Sequence, residues 1–132
     1  MLSRITTVAL VAIVTGCAAH SPARIGSANA EQLSQIPSEK LCLTYELYQT
    51  PNAKAELVRR NAIPEADWPV IDAKKVRIGM SELGLVCSWG YAKVNSTVNQ
   101  NGTRNQYVYR KCRDCKATYV YTRNGKVTSW QT

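Results

Sequence analysis

The first apolar feature of the chain is a continuous one. Ile5 to Val14 (ITTVALVAIV) is a stretch of ten residues behind Arg4. Ten falls short of the roughly 20 residues that a helix needs to cross a bilayer. The length and flanks suit the apolar segment of a secretory signal. Ala18 to Ile36 then shows no sustained apolar period and is rich in Ala, Ser, Gln and Asn, which predicts a flexible tether. Ser38 is placed as the cap of a helix starting at Glu39, with Leu41, Leu43, Tyr45, Leu47 and Tyr48 following and Pro51-Asn52 breaking it. Asn52 is placed as the cap of a second short helix over Ala53 to Asn61. Glu65 to Lys74 is at most a fractured helical turn, because Pro69 interrupts it. Ser81 is a good N-cap for a helix carrying Leu83, Val86, Cys87 and Trp89 at helical spacing, and Gly90 ends it.

From Lys93 the composition switches to strand formers. Lys93 to Val98, Gln106 to Lys111, Ala117 to Arg123 and Lys126 to Gln131 read as strands, with Asn101-Gly102 marking the first turn. Asn124-Gly125 carries the strongest short hairpin signal. These elements predict an α+β fold, with N-terminal helices packed on one face of a three- to four-stranded antiparallel β-meander. A two-residue loop at Asn124-Gly125 sets Tyr119 opposite Trp130. A five-residue loop from Cys112 to Lys116 sets Tyr109 opposite Tyr119 and Tyr107 opposite Tyr121. Tyr107, Tyr109, Tyr119, Tyr121 and Trp130 then share one sheet face for the helices to cover. A two-residue loop at Arg113-Asp114 would instead divide the tyrosines between both faces, since a one-residue slip flips every side chain. The single aromatic face is the preferred expectation.

Val14-Thr15-Gly16-Cys17 resembles the lipobox of bacterial lipoproteins. That resemblance implies removal of residues 1–16, acylation of Cys17 and a chain held in the membrane by its N-terminal acyl chains, each buried methylene adding about 0.8 kcal/mol. Ala18, where an aspartate would signal retention, implies the outer membrane, with the domain facing the periplasm. Residues 17–36 then form the lipidated N-terminus and tether, and residues 37–132 a single domain.

Charge and cysteine content refine this picture. The 132 residues carry a formal net charge of +8, and losing residues 1–16 removes Arg4 alone. A basic envelope protein suits anionic phospholipid headgroups or an acidic partner, or simply has a solvated surface. Nucleic acid is disfavoured by compartment. The one histidine, His20, leaves no multi-histidine metal site and little general acid–base chemistry, so no cofactor, no metal and no enzymatic activity are expected.

With Cys17 acylated, Cys42, Cys87, Cys112 and Cys115 form an even set, which in an exported chain reads as a disulfide framework with three possible connectivities. A Cys42–Cys87 bridge would staple helix to helix and contribute about 4 kcal/mol. A Cys112–Cys115 ring would contribute about 2 kcal/mol before strain. A redox pair at Cys112-Arg113-Asp114-Cys115 is the competing reading, with Arg110, Lys111, Arg113 and Lys116 lowering a thiol pKa. Such pairs need a helix N-terminus, however, and this motif lies in a hairpin loop. A four-cysteine zinc site lacks a second C-x-x-C.

Ile78-Gly79-Met80-Ser81, Leu85-Val86-Cys87-Ser88-Trp89-Gly90, Gln106-Tyr107-Val108-Tyr109, Tyr119-Val120-Tyr121 and Asn124-Gly125-Lys126-Val127-Thr128 resemble the SmpA/OmlA (BamE-like) domain of small outer-membrane lipoproteins. The resemblance covers residues 76–131. It implies two helices on a three-stranded sheet and an accessory role in outer-membrane protein assembly or envelope integrity, through a protein partner in the assembly machinery. Three features depart from the family pattern: Tyr91-Ala92 after the helix-ending glycine, the C-x-x-C, and the helical segment over residues 38–75. The architecture also resembles β-lactamase-inhibitory modules, which implies an alternative: an inhibitor or exclusion lipoprotein that binds an envelope or phage protein through its sheet face.

Overall fold

The computed structural model describes residues 21–132. The signal segment, Cys17 and His20 lie outside the described residues. Helices α1 (Pro22–Ser27), α2 (Ala30–Ser34), α3 (Ser38–Tyr48) and α4 (Pro51–Arg59) come first. A 3-10 turn (Glu65–Asp67) runs into α5 (Trp68–Asp72), and α6 (Glu82–Trp89) precedes strands β1 (Lys93–Asn99), β2 (Gly102–Tyr109), β3 (Thr118–Arg123) and β4 (Lys126–Gln131). The strands form one antiparallel sheet in the order β1-β2-β3-β4, an α+β fold with helices against a meander.

The segment expected as a tether is built differently from residue 21 onward. It forms α1 and α2, and Ile25, Leu33 and Ile36 are buried in the common core. Asn29 closes α2 with a reciprocal capping box, its side chain accepting from the Gln32 amide while Gln32 accepts from its own amide. Asn52, expected as a cap, lies inside α4 and donates to the carbonyl of Gly26 at 2.9 Å, tying α1 down. Ser38 is likewise the first helical residue and not the cap, and its hydroxyl accepts from Arg60 at 3.1 Å. Three widely spaced apolar residues thus do the work of a periodic face, each worth about 1.5–3 kcal/mol when buried.

The centre of the fold is the α3–α6 pair, bridged by Cys42 and Cys87, both buried. Ser81 caps α6 by accepting from the Gly84 amide at 3.0 Å. Gly90 ends the helix at φ +74, a backbone conformation that glycine adopts without strain. Met80, Leu85, Val120 and Val127 are essentially inaccessible and join helices to sheet. Glu82 extends this contact by accepting from Asn105 at 2.7 Å and from the Thr122 hydroxyl.

The sheet register differs from expectation by one residue. Tyr107 pairs with Val120, Val108 with Tyr119 and Tyr109 with Thr118. Tyr119 faces Gln131 and Val120 faces Trp130, with a bulge in the β3–β4 ladder at Tyr121/Thr122. The connection from β2 to β3 runs from residue 110 to 117 and is closed by the Cys112–Cys115 disulfide and a Cys115 N–H to Cys112 carbonyl bond. Placing Cys112 opposite Cys115 imposes the parity of the two-residue-loop alternative on both strands. Asn124 and Gly125, both at positive φ, make the tight turn between β3 and β4.

The two outer strands end differently. The start of β4 is covered by the chain before α6: Gly79 N–H donates to Val127 O at 2.7 Å, Val127 N–H to Met80 O at 2.8 Å, and Glu82 N–H to Gly125 O at 3.1 Å. All seven residues of β1 are exposed, and among the described residues its ladder runs to β2 alone.

Candidate functional site

The slipped register divides the expected aromatic face. Tyr107 and Tyr109 point to the helices with Val120, Thr122 and Val127; Tyr119 and Tyr121 point away. Tyr107 is buried, and burial together with the Glu82 carboxylate pushes its hydroxyl up to about 12. Tyr109 packs edge-on against Trp89, with ring centroids 5.3 Å apart. Burial, with Tyr107 and Glu46 adding, pushes its hydroxyl up as well. Trp130 pairs with Val120 on the helix side but remains 44% exposed. Tyr107 and Tyr109 are therefore packed against the helical layer and do not form one open aromatic face with Tyr119 and Tyr121.

The opposite face is open and polar. Across β2, β3 and β4, Arg104 stands directly opposite Arg123, and Arg123 directly opposite Lys126. Like charges in adjacent cross-strand positions destabilise a sheet, and no acidic side chain lies in this row. Beside it, Asn95 donates to Gln106 at 3.0 Å, while Gln106 at 3.3 Å and Gln131 at 2.8 Å both donate to the Tyr121 hydroxyl. Asn95, Arg104, Gln106, Tyr121, Arg123 and Thr128 line a shallow depression of about 500 Å³. Forked guanidinium groups over a polar floor suit carboxylate or phosphate oxygens, which they bind bidentately.

A second concentration of positive charge sits at the β2–β3 tip. Arg110, Lys111, Arg113 and Lys116 flank the Cys112–Cys115 disulfide, and Arg110 donates to the Cys115 carbonyl at 3.0 Å. Arg110, Lys111 and Lys116 border a groove of about 620 Å³ floored by Trp89, Tyr91 and Tyr109. The tip is a turn, not a helix N-terminus, so it lacks the dipole that activates a C-x-x-C thiol.

All four candidate cysteines are thus in disulfides, Cys42 with Cys87 and Cys112 with Cys115. Among the described residues no group of three or more His, Cys, Asp or Glu side chains is placed to hold a metal, and no helix is long and apolar enough to cross a membrane. The two-residue turn at Asn124-Gly125 already sets Arg123 opposite Lys126, but Arg104 joins them only in the observed β2–β3 register, so the row as a whole escaped the sequence reading. Its other signal was the excess of basic residues after position 92. No family model, no curated protein and no solved structure matches this chain.

Proposed function

We propose that the chain is a lipid-anchored binding protein of the outer membrane, facing the periplasm and accessory to outer-membrane protein assembly or envelope integrity. It is held by acyl chains on Cys17 and engages an acidic partner through the outer face of its sheet. The observation that carries the binding role is the row Arg104–Arg123–Lys126, where like charges oppose one another across the sheet and an anionic group from outside would relieve the repulsion. The apolar run before Thr15-Gly16-Cys17 and the resemblance over residues 76–131 support the location and the assembly role. Two disulfides fit an exported chain. Anionic phospholipid headgroups offer the same oxygen chemistry as an acidic protein segment.

A second reading, an inhibitor or exclusion lipoprotein, is favoured by one observation: Tyr119 and Tyr121 share the open face with Arg104 and Arg123. Tyrosine and arginine are the residue types that dominate binding hot spots. Crosslinking the native protein in intact cells, fractionating membranes and identifying adducts by mass spectrometry separates the two. Assembly components recovered from the outer-membrane fraction support the first reading. A single unrelated envelope or phage-encoded protein, with no assembly component, overturns it in favour of the second.

A further inference from the structure

The open edge of the sheet has a chemistry of its own. Thr103 directs its carbonyl toward β3, where it accepts from the Asn124 amide at 2.9 Å. Alternate β2 residues therefore face β3, and Gly102, Arg104, Gln106 and Val108 face β1. Their partners are Asn99, Thr97, Asn95 and Lys93. It follows that Val94, Ser96 and Val98 aim their N–H and C=O groups at the free edge. Their side chains stand on the helix side of the sheet, where Val94 is 43% and Val98 75% exposed. Sheets protect such edges with charge, proline, bulges or covering chain. β4 has covering chain and a bulge. Among the described residues β1 has neither; it contains no proline and has one charge, at its start.

We propose that β1 pairs with β1 of a second copy of this chain, antiparallel and centred on Ser96, so that one sheet runs through a two-fold dimer. The strand is nearly palindromic about Ser96, reading Val-Asn-Ser-Thr-Val from 94 to 98. In that register Val94 lies opposite Val98 of the second copy, Asn95 opposite its Thr97 and Ser96 opposite its Ser96. Lys93 falls opposite Asn99, so no like charges meet. Both exposed valines gain a β-branched cross-strand neighbour. Val94 also lines a groove of about 260 Å³ with Leu43, Leu83, Val86 and Tyr91. The second copy's Val98 arrives beside it. A foreign strand would have to reproduce this pattern, whereas a second copy carries it already. The pairing joins two cationic outer faces, so it strengthens as salt screens them.

The mass of the purified full-length chain, measured by light scattering across a dilution series, tests this. The expected result is a two-chain mass that falls to one chain on dilution and persists to lower concentration as NaCl rises. Ser96→Pro removes an outward N–H without touching the ladder to β2, and Val98→Lys places a charge beside Val94. Each is expected to weaken association by about tenfold or more, with secondary structure by circular dichroism unchanged. Should Ser96→Pro unfold, Val98→Lys carries the comparison. Under oxidation Ser96→Cys is expected to form a two-chain disulfide, since paired Cα atoms there lie about 5.5 Å apart, and Asn95→Cys is not. A one-chain mass at every concentration, retained association in Val98→Lys, or equal crosslinking at positions 95 and 96 would overturn the proposal. A monomeric purified chain whose Ser96→Cys variant crosslinks in cells to a different protein would also overturn it, and would assign the edge to a foreign strand.

Discussion

Residues 21–92 hold eight basic and eight acidic side chains, and five ion pairs lie among them; residues 93–132 hold eight basic side chains and one acid, Asp114, with no ion pair among the described residues. The helical part spends its charge on construction. Asp67, fully buried, accepts from Arg77 and from the Ser81 amide and hydroxyl, fixing the start of α6. Buried Glu56 holds Arg59 and Arg60, and Arg60 reaches on to the carbonyl of Leu33. The sheet part is held by its ladders and by Val120, Val127 and Tyr107 beneath α6, and its cations face outward. In the sheet part, like charge stands opposite like charge with no internal partner among the described residues.

The sharpest way to break this contrast is through the disulfides. Replacing Cys42 and Cys87 with serine is expected to cost about 4 kcal/mol in a urea titration, because the loop they close is long. Replacing Cys112 and Cys115 is expected to cost about 2 kcal/mol or less. Equal losses would mean that the sheet part depends on its tip as much as the helical part depends on its staple. Asp67→Asn comes next, at about 2 kcal/mol, since it weakens the charge-assisted hydrogen bonds that a fully buried carboxylate accepts from Arg77 and Ser81.

Glu56→Gln tests the same point by pH. Its hydrogen bond from Arg59, opposed by burial and reinforced by Arg60, lowers the Glu56 carboxyl to about 2 from an ordinary 4.5. A carboxyl depressed by folding stabilises above its unfolded pKa, and that contribution fades as pH falls from about 4.5 toward 2. The variant is expected to be less stable than wild type at pH 7, by about 2 kcal/mol, with the gap narrowing steadily as pH falls from about 4.5 toward 2. A gap that stays constant with pH would show that Glu56 acts through packing alone.

Much of the architecture was legible because its signals are local. Ser81 with Gly84, Gly90 at the end of α6, and Asn124-Gly125 each settle their own few residues. The segment before residue 37 was misread because Ile25, Leu33 and Ile36 follow no helical period and become core only when α3 and α4 lie beneath them. The tyrosine faces were misread because strand parity was decided elsewhere, by the ring that sets Cys112 opposite Cys115. In Thr118-Tyr119-Val120-Tyr121-Thr122 either alternate set could face inward. The structure buries Val120 and Thr122 and leaves the tyrosines outside, with Gln106 and Gln131 donating to the Tyr121 hydroxyl. Arg104 joins Arg123 and Lys126 only through that same parity, so the full row was hidden with it.

The smallest expected effect is also the one that tells most about the sheet. Arg123 is the middle of the row, with Arg104 on one side and Lys126 on the other. Arg123→Glu turns two like-charge cross-strand pairs into two opposite-charge pairs, each worth roughly 0.2–1 kcal/mol. The variant is therefore expected to be more stable than wild type by about 1 kcal/mol in urea at low ionic strength. Salt should act in opposite directions on the two proteins, stabilising wild type by screening repulsion and destabilising the variant by screening attraction. Crosslinking to an acidic partner should fall in the same variant. A surface residue whose removal improves the fold and impairs binding is held for binding. If Arg123→Glu instead lowers stability and leaves crosslinking intact, the row belongs to the architecture, and the division between a self-paired helical part and an outward-facing sheet fails at its centre.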